Sequence, residues 1–506
     1  MIPVRANGGL SAKIAALFNE GQQGVWFDNQ DLSTMFADSA GTTPVQMPGQ
    51  GAAVTVGLQL DKSKGLVLGP ELVTNGDFSS GTTGWIAFGS GTTLSTVGQK
   101  LRISSVDSTG SQGARQVLSG LVAGVFYRVS VSMRIVNTPV VNQTVSLRWA
   151  NGSVNTGFTT IVVSSSSSEV TLTGVFAATS STATIALLNG GLSAPGGGPF
   201  ETEFDNISVR ELPGNHAYQS TSTSRPVLSA RVNQYVGTET LATQNVTTVA
   251  GSYTLRFEGT GSITLSGTAT GTYSAGTHTI TCTAGTLTST VSGTVTKADL
   301  RVANDTGSTV PSYQRVVDAN TYDTAGFPLY LAFDGSDDWL QTNSINFSAT
   351  DKMTVWAGLR KLSDATGIVA ELSASIAVNN GVIQLVSAQN TGTTDYAFVS
   401  KGTTSGTARG TGFPSPITNV LTGIGDISGD QAILRINGTQ AASSTADQGP
   451  GNYGNYPLYI GRRGGTTLPF NGRFYGLVIR GGTLPTDDQI KMVERYLSSK
   501  MGGGFV

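Results

Sequence analysis

Hydrophobic and polar residues alternate along most of this chain, in short runs that Gly, Ser, Asn and Asp interrupt. Clear examples are Phe126–Met133 (FYRVSVSM), Val145–Trp149 (VSLRW) and Gln431–Ile436 (QAILRI). A period of two is typical of strands that bury one face, and the interrupting residues favour turns. The pattern therefore predicts an all-β protein built from antiparallel sheets.

Two segments depart from this alternation and predict helices. Leu10–Phe18 (LSAKIAALF) spaces its apolar residues at helical intervals, and the segment from Thr486 to Lys500 has an acidic start, a basic end and Gly502 as a stop signal. The first helix is too short to be stable alone. We expect it to dock on its own domain or on a neighbouring molecule, and the pattern leaves both open.

The order of the segments indicates a sandwich that is interrupted in sequence. The run Gly57–Gly65 (GLQLDKSKG) breaks off, and Pro213–Gln219 (PGNHAYQ) reads as its continuation. The segment between them reads as a complete β-module, whereas residues 21–65 are too few to close a core. This organisation places the strands that carry Trp26 and Trp339 in one sandwich, with both tryptophans in a shared core.

With 506 residues, several domains are expected, because single cores rarely grow past about 250–300 residues. We divide the chain as follows: 1–20, an arm with a short helix that anchors or docks; 21–65, the first part of the sandwich; 66–212, the inserted module; 213–234, the continuation of the sandwich; 235–303, a second small β-module; and 304–506, the main part of the sandwich, ending in a helix.

Composition narrows the function. Charged residues make up 12% of the chain, hydrophobic residues 38%, and the net charge is −2. A nucleic-acid-binding protein would need a basic face, and a membrane span needs about 20 consecutive apolar residues; neither pattern is present. The first residues lack the features of a signal peptide, so we expect no general export. The one cysteine, Cys282, alternates with threonines and is expected to be a buried strand residue.

Aromatic residues of the 66–212 module are candidates for sugar binding, because rigid aromatic side chains offer a large contact area at low entropic cost. The alternative for each is a place in the core. The candidates are Trp85, Phe88, Tyr127 and Trp149.

Nucleophilic catalysis finds no support in the sequence. The two histidines, His216 and His278, fall in different modules, and no phosphate-binding motif is present. We therefore name no catalytic residue. Glu201, Glu203 and Asp205 share one face of a strand, which leaves a glycosidase carboxylate pair open alongside plain solvated acids.

Three motifs of the inserted module resemble carbohydrate-binding modules of the family 4/9/22 type: Val73–Phe78 (VTNGDF), Gly84-Trp85, and Phe204–Val209 (FDNISV). Three others resemble the concanavalin-like or laminin-G-like lectin fold: Phe333–Trp339 (FDGSDDW), Leu434–Gly438 (LRING) and Tyr459–Arg463 (YIGRR). The implied fold is a discontinuous concanavalin-like β-sandwich with an inserted jelly-roll carbohydrate-binding-like module and a second small β-module.

The resemblance also implies a metal. In carbohydrate-binding modules of this type an acid of the last strand and residues near the first strand hold a structural calcium, which corresponds here to Asp77 and Asp205. Solvated or turn acids remain the alternative. Asp334, Asp337 and Asp338 match a calcium-binding loop of some laminin-G-like domains, although Asp-Gly more often marks a turn. No other cofactor is implied.

The order of motifs along the chain, from Gly24–Asp28 (GVWFD) through Leu68–Phe78 (LGPELVTNGDF) to Gly451–Gly465 (GNYGNYPLYIGRRGG), looks like that of tailed-bacteriophage virion proteins of the tail-fibre, head-fibre or decoration type. This resemblance implies a non-enzymatic protein located in the virion and assembled in the host cytoplasm. Its partners would be other virion proteins, host cell-surface glycans and further copies of itself, as a homotrimer or other homo-oligomer. A structural clamp without sugar binding and a glycan depolymerase are the alternatives.

Overall fold

The computed structural model describes residues 8–19, 21–105, 112–136, 143–150, 157–163, 168–191, 200–303, 305 and 307–506. These residues form two compact units. The sandwich unit takes its described residues from 1–38, 44–64 and 215–506, and the inserted unit takes its own from 39–43 and 65–214. The second unit thus lies in the sequence between the two halves of the first.

Both units are built almost entirely from strands. The sandwich unit begins with α1 (Gly8–Ala16), β1 (Gly24–Asp28), β2 (Met35–Phe36), β3 (Val54–Thr55) and β4 (Leu58–Gln59). The inserted unit contains β5 (Ile86–Phe88), β6 (Thr92–Val97), β7 (Lys100–Ser105), β8 (Gly113–Ser119), β9 (Phe126–Ile135), β10 (Gln143–Ala150), β11 (Gly157–Val163), β12 (Val170–Ala177), β13 (Thr182–Gly191) and β14 (Phe200–Glu211).

The sandwich unit then resumes with β15 (Ala217–Tyr218), β16 (Val227–Ser229), β17 (Gln244–Thr248), β18 (Gly251–Gly267), β19 (Gly271–Cys282), β20 (Gly285–Ser292) and β21 (Val295–Val302). It ends with β22 (Tyr330–Asp334), β23 (Leu340–Asn346), β24 (Lys352–Lys361), β25 (Gly367–Leu372), β26 (Val382–Ala388), β27 (Asp395–Lys401), β28 (Ser405–Thr411), β29 (Ile417–Asp426), β30 (Gln431–Ile436), β31 (Thr439–Ser444), β32 (Asn455–Ile460), β33 (Asn471–Gly481) and α2 (Asp487–Lys500).

The sandwich unit consists mainly of two large antiparallel sheets that mix strands from both halves of the chain. One runs β3-β16-β22-β33-β24-β29-β30-β31 with β1 also on β33, and the other runs β2-β4-β15-β23-β32-β25-β26-β27-β28. Trp26 of β1 pairs with Val478 of β33, and Gln59 of β4 pairs with Ala217 of β15. The predicted all-β fold with a discontinuous sandwich is therefore confirmed.

The strand that carries Trp26 and the strand that begins directly after Trp339 do share one core, through Phe27 and Leu340. The two tryptophan side chains themselves do not, so our expectation for them was wrong. Trp26 faces the other side of its sheet and donates a hydrogen bond from Nε1 to the Tyr496 hydroxyl of α2, at 3.1 Å. Trp339 is half-buried and stacks on Tyr459 with ring centroids 5.9 Å apart.

Both described helices cover the outer side of the sheet that contains β33. Ile14, Leu17 and Phe18 form one apolar cluster with Trp26 and with residues of α2. The N-terminal helix thus packs on its own unit, which answers one of the two options that its sequence left open. Among the described residues, no helix is both long and apolar enough to cross a membrane.

Strands β17–β21 form a small antiparallel sheet of their own, in the order β17-β20-β18-β19 with β21 also on β18. This sheet has a separate apolar core, although it is continuous with the sandwich unit as a compact body. Cys282 lies in that core, as its alternation with threonines predicted, and burial raises the pKa of its thiol.

The inserted unit is a second, smaller sandwich. The β10 sheet has the order β11-β10-β13-β8-β5, and the β9 sheet has the order β12-β9-β14-β7-β6. Side chains at alternate positions of both sheets, such as Leu147, Val129 and Phe204, meet in one core. This arrangement leaves the opposite face of each sheet for polar or functional residues.

Candidate functional site

The aromatic residues proposed for sugar binding do not form an exposed platform. Trp85, Tyr127 and Trp149 are all buried in the core between the two sheets of the inserted unit. Trp149 stacks on Phe176 with ring centroids 3.5 Å apart, and Trp85 packs against Phe78. The prediction that these three side chains are exposed sugar contacts was therefore wrong, because a sandwich this small needs its largest rings to fill the core.

Phe88 is the one candidate of the four that keeps a partly exposed ring. It lies on β5, where Ala87 pairs with the buried Ala114 of β8, so Ala87 lies on the same face of the sheet as Ala114, although it is itself exposed at the sheet edge. Because successive side chains of a strand point to opposite faces, Ile86 and Phe88 point away from the core. Phe88 therefore belongs to the outer face of the β10 sheet.

A row of paired residues crosses this outer face. Ile86 pairs with Arg115 of β8, Arg115 pairs with Ala186 of β13, and Ala186 pairs with Arg148 of β10. Directly paired residues project on the same side of an antiparallel sheet. We call this surface the arginine face and define it by Ile86, Phe88, Arg115, Val117, Arg148 and Ala186.

Two apolar side chains on the arginine face are unusually open to solvent. Ile86 is 57% exposed and Val117 is 64% exposed, although both lie within strands. The Arg115 guanidinium lies over the Phe88 ring, 6.0 Å from its centroid. Exposed apolar surface beside multidentate hydrogen-bond donors is the combination that a sugar requires, since a sugar ring has both apolar C–H faces and hydroxyl edges.

Sequence reasoning missed Arg115, Arg148, Ile86 and Val117. Part of the signal was present, because Arg148 lies out of phase with Val145, Leu147 and Trp149. In β8 the signal was ambiguous, since Gln116 faces inward and a valine faces outward. The Gln116 side chain is inward because its amide accepts from Thr74 N at 2.8 Å and donates to Thr74 O at 2.9 Å.

The acidic residues of β14 lie on the β9 sheet, where they form ion pairs with basic side chains. These acids are Glu201, Glu203 and Asp205. Glu203 is buried between Arg102, whose Nη2 lies 2.5 Å from it, and Arg134, whose Nε lies 2.7 Å from it. Burial works to raise the pKa of Glu203, but the hydrogen bonds and charges of Arg102 and Arg134 outweigh it and lower that pKa. A carboxylate held ionised in this way is a poor proton donor, so this row does not support glycosidase chemistry.

The two acids expected to hold calcium have separate local partners. Asp77 accepts from Ser79 N at 3.2 Å and from Ser79 Oγ at 3.0 Å. Asp205 accepts from Asn206 N at 2.8 Å and lies 3.7 Å from the Lys100 ammonium. A neighbouring ammonium competes with a bound cation, and nothing among the described contacts joins the two carboxylates. These residues do not fit a shared calcium site.

Another carboxylate ties the ends of the inserted unit together. Glu71 accepts from the backbone N–H of Val73 at 3.0 Å and of Val209 at 2.8 Å, and also from Ser208 Oγ and Arg210 Nε. Burial works to raise the pKa of Glu71, and these hydrogen bonds lower it overall. Glu71 thus joins the first residues of the inserted unit to its last strand.

Asp334, Asp337 and Asp338 form the one group of three or more acids within the described residues whose oxygens converge enough to hold a metal ion. Their hydrogen bonds are those of a turn. Asp334 Oδ1 accepts from Ser336 N at 2.7 Å, and Asp338 Oδ2 accepts from Asp334 N at 3.1 Å. Burial, followed by repulsion from Asp334, raises the pKa of Asp338 to about 7.

Comparisons with known proteins point to the inserted unit. Residues 70–189 match the family model described as "Carbohydrate binding domain". This match supports a carbohydrate-binding module of the 4/9/22 type in the inserted unit, and with it a glycan as a binding partner. A search of curated proteins finds no match.

The solved structures that match part of this chain include several carbohydrate-binding modules. A CBM4 structure is 16% identical over 28% of this chain and 99% of that chain, with a TM-score of 0.23. The CBM40 of a Ruminococcus gnavus IT-sialidase bound to α2,3-sialyllactose is 16% identical over 30% and 97%, with a TM-score of 0.24. The CBM22-1 xylan-binding domain from Paenibacillus barcinonensis is 18% identical over 29% and 97%, with a TM-score of 0.23.

Proposed function

We propose that this protein binds glycans without cleaving them and that the arginine face of the inserted unit is the contact surface. The observation that carries the proposal is the cross-strand row of Ile86, Arg115, Ala186 and Arg148, with Val117 exposed beside it. Sugar rings would lie on the apolar side chains, and the guanidinium groups would donate to ring oxygens and hydroxyls.

The absence of cleavage is supported by the state of the acids. A glycosidase needs two carboxyl groups that flank one bond, one of them protonated at working pH. The acids of β14 are instead paired with Arg102, Arg134 and Lys100. Incubation of the full chain with bacterial polysaccharides should therefore produce no new reducing ends, and their appearance would favour the depolymerase alternative.

Binding is tested on an array of neutral and acidic polysaccharides, with the full chain and two matched valine variants. Val117→Ser removes apolar area from the arginine face, and Val170→Ser removes an exposed valine from β12 in the other sheet. Burying a valine is worth roughly 1.5 kcal/mol, so Val117→Ser should weaken binding about tenfold. Val170→Ser should leave it unchanged. Equal losses in both variants, or no binding on the array, would contradict the proposal.

We also propose that the protein is part of a bacteriophage virion, as a fibre, spike or capsid-decoration protein. The low charge, the abundance of uncharged polar residues and the resemblance in motif order support it. Weak single sites become effective when several copies bind one surface, because later contacts are intramolecular. We therefore also propose a homotrimer or other homo-oligomer that contacts other virion proteins.

Two measurements address this setting. Antibodies against the full chain should label purified particles in electron micrographs, and the site of labelling separates head from tail. Sedimentation equilibrium of the purified protein should give a multiple of the 52.1 kDa chain mass. Unlabelled particles would contradict the virion assignment, and a monomer at high concentration would contradict the oligomer. Labelled particles that bind no glycan would favour the structural clamp.

A further inference from the structure

We infer that Arg115 and Arg148 act as a pair that binds the carboxylate of an acidic sugar, such as a uronic or sialic acid. This inference rests on the proposed function and specifies its ligand class. It follows from the placement, the charge environment and the hydrogen bonding of the two arginines.

The placement suits one anionic group between two guanidiniums. Arg115 and Arg148 pair with Ala186 from opposite sides, so they project from the same face with two strand spacings between them, about 10 Å between Cα atoms. The residue between them, Ala186, is itself buried and carries only a methyl group. Arginine side chains are long enough for both planar forks to converge on one carboxylate at the outer surface of this face.

The charge environment sets these two arginines, like Arg128, apart from the ion-paired cations of the inserted unit. In the β9 sheet, Arg102 and Arg134 pair with Glu203, and Lys100 pairs with Glu169. Within the described residues, neither Arg115 nor Arg148 takes part in an ion pair, and the arginine face includes no acid. Two unpaired cations on one face favour an anionic ligand.

The hydrogen bonding of Arg148 gives an independent indication. Its Nε atom is buried and has no hydrogen-bond partner among the described residues. Buried donors in folded proteins are nearly always paired, because an unpaired one has lost its hydration without compensation. An acceptor brought by the ligand would satisfy this donor. Arg115 is held differently, over the Phe88 ring, which keeps its guanidinium above the sheet.

The apolar neighbours favour a sugar as the carrier of the anion. Ile86 and Val117 expose apolar area on the same strands as Phe88 and Arg115, so a ring beside the anionic group has a surface to lie on. A flexible polyanion without rings would use the charges and not this surface. The inference therefore commits to a sugar carboxylate, and sulfated glycans and non-sugar polyanions become arms of the test.

The test uses the full-length protein in affinity electrophoresis with four acidic polymers: polygalacturonate, alginate, hyaluronate and polysialic acid. Each is run beside its own carboxyl-reduced form, which keeps the sugar rings and removes the charge. Dextran sulfate tests whether a sulfated sugar polymer binds, and polyacrylate tests whether carboxylate charge binds without sugar rings. We expect at least one acidic polymer to bind at least tenfold more tightly than its reduced form, and more tightly than either control polymer.

Variants locate the effect. Arg115→Gln and Arg148→Gln should each weaken binding of that acidic polymer about tenfold and leave any binding of its reduced form unchanged. Arg128→Gln is the matched control, because Arg128 is an exposed arginine on β9 in the other sheet. All three variants should keep the thermal unfolding midpoint of the wild type, so that loss of binding is not loss of fold.

The outcomes distinguish glycan binding from the preference for acidic sugars. Equal binding of acidic and reduced polymers overturns the acidic-sugar inference and leaves glycan binding in place. Preference for dextran sulfate or polyacrylate overturns the inference as well. Binding of no polymer in either form contradicts both the inference and the proposed function. Equal losses from Arg128→Gln and Arg115→Gln would overturn the assignment to the arginine face.

Discussion

A single buried carboxylate joins the two separated halves of the sandwich unit. Asp61 Oδ1 accepts from Trp26 N and from Ser63 N, each at 2.8 Å, and Asp61 Oδ2 accepts from Asn215 N at 2.8 Å. In return, Asp61 N donates to His216 Nδ1 at 2.9 Å. The chain leaves the sandwich soon after Asp61 and returns at Asn215, so this one side chain connects the exit and the return of the inserted segment.

Replacement of Asp61 should therefore destabilise the sandwich unit. Asp61→Ala leaves several buried N–H groups without an acceptor, which should cost about 2–4 kcal/mol of unfolding free energy. Asp61→Asn keeps one acceptor oxygen and should cost less. Chemical denaturation followed by tryptophan fluorescence measures both, with Asp318→Ala as a control in an exposed turn. An Asp61→Ala variant as stable as that control would contradict the joining role.

Asp338 makes the stability of the sandwich unit depend on pH. Its pKa is raised from 3.8 to about 7, first by burial and then by Asp334. The folded state therefore favours the protonated form, and stability falls as pH rises from about 4 to about 7 and is constant above that. Asp338→Asn does not titrate. It should be about as stable as the wild type at pH 4 and more stable by about 2–4 kcal/mol at pH 8.

Urea unfolding at both pH values provides the measurement for Asp338→Asn. A stability difference that does not change with pH would contradict the proposed cause. Addition of calcium at pH 8 distinguishes the turn from a metal site. If these acids only form a turn, calcium should leave the stability difference between wild type and Asp338→Asn unchanged. If they form a calcium site, calcium should stabilise the wild type and not the variant.

At the scale of elements, the inserted unit is closed by the contact between its first residues and β14. Glu71 provides this contact through Val209, Ser208 and Arg210. Glu71→Gln removes the negative charge that these donors share and should lower the unfolding free energy of the inserted unit by about 1–3 kcal/mol. Because the pKa of Glu71 is lowered in the folded state, its contribution is present above about pH 4.5 and is lost as pH falls through the folded pKa.

Thermal unfolding of wild type and Glu71→Gln at pH 7 and pH 3 measures this effect, which should be smaller at pH 3 than at pH 7. A chelator should leave the wild-type midpoint unchanged, since Asp77 and Asp205 have other partners. A midpoint that falls with the chelator would restore the calcium hypothesis, and an unchanged Glu71→Gln midpoint would remove the closing role from Glu71.

Alternation predicted the strands well, but it identifies only which residues share a face and not which face is buried. Trp149 shares its phase with Val145 and Leu147, so its place in the core was readable from the sequence. In β8 the alternation does not show which face is buried, because the polar Gln116 faces inward and the apolar Val117 faces outward. The tertiary hydrogen bonds of Gln116 determine the outcome, and no local pattern contains them.

At the scale of the molecule, the interruption of the sandwich was predictable because its two halves had incomplete local sequences. Residues 21–65 contain strands without enough partners, and the structure supplies those partners from β15, β16 and β33. The local partners of Asp77 and Asp205 were not predictable, because Asp77, Asp205 and Lys100 are far apart in sequence. Which sheet presents a ligand surface likewise depends on pairing across four strands.

The central claim is that glycan binds on the arginine face of the inserted unit. Hydrogen exchange of the full chain, measured by mass spectrometry with and without a saturating acidic oligosaccharide, tests it most directly. The account predicts slower exchange in peptides that cover β5, β8, β10 and β13, and unchanged exchange in β6, β7, β9 and β14. Protection confined to the β9 sheet or to the sandwich unit, or no protection in either unit, would contradict it.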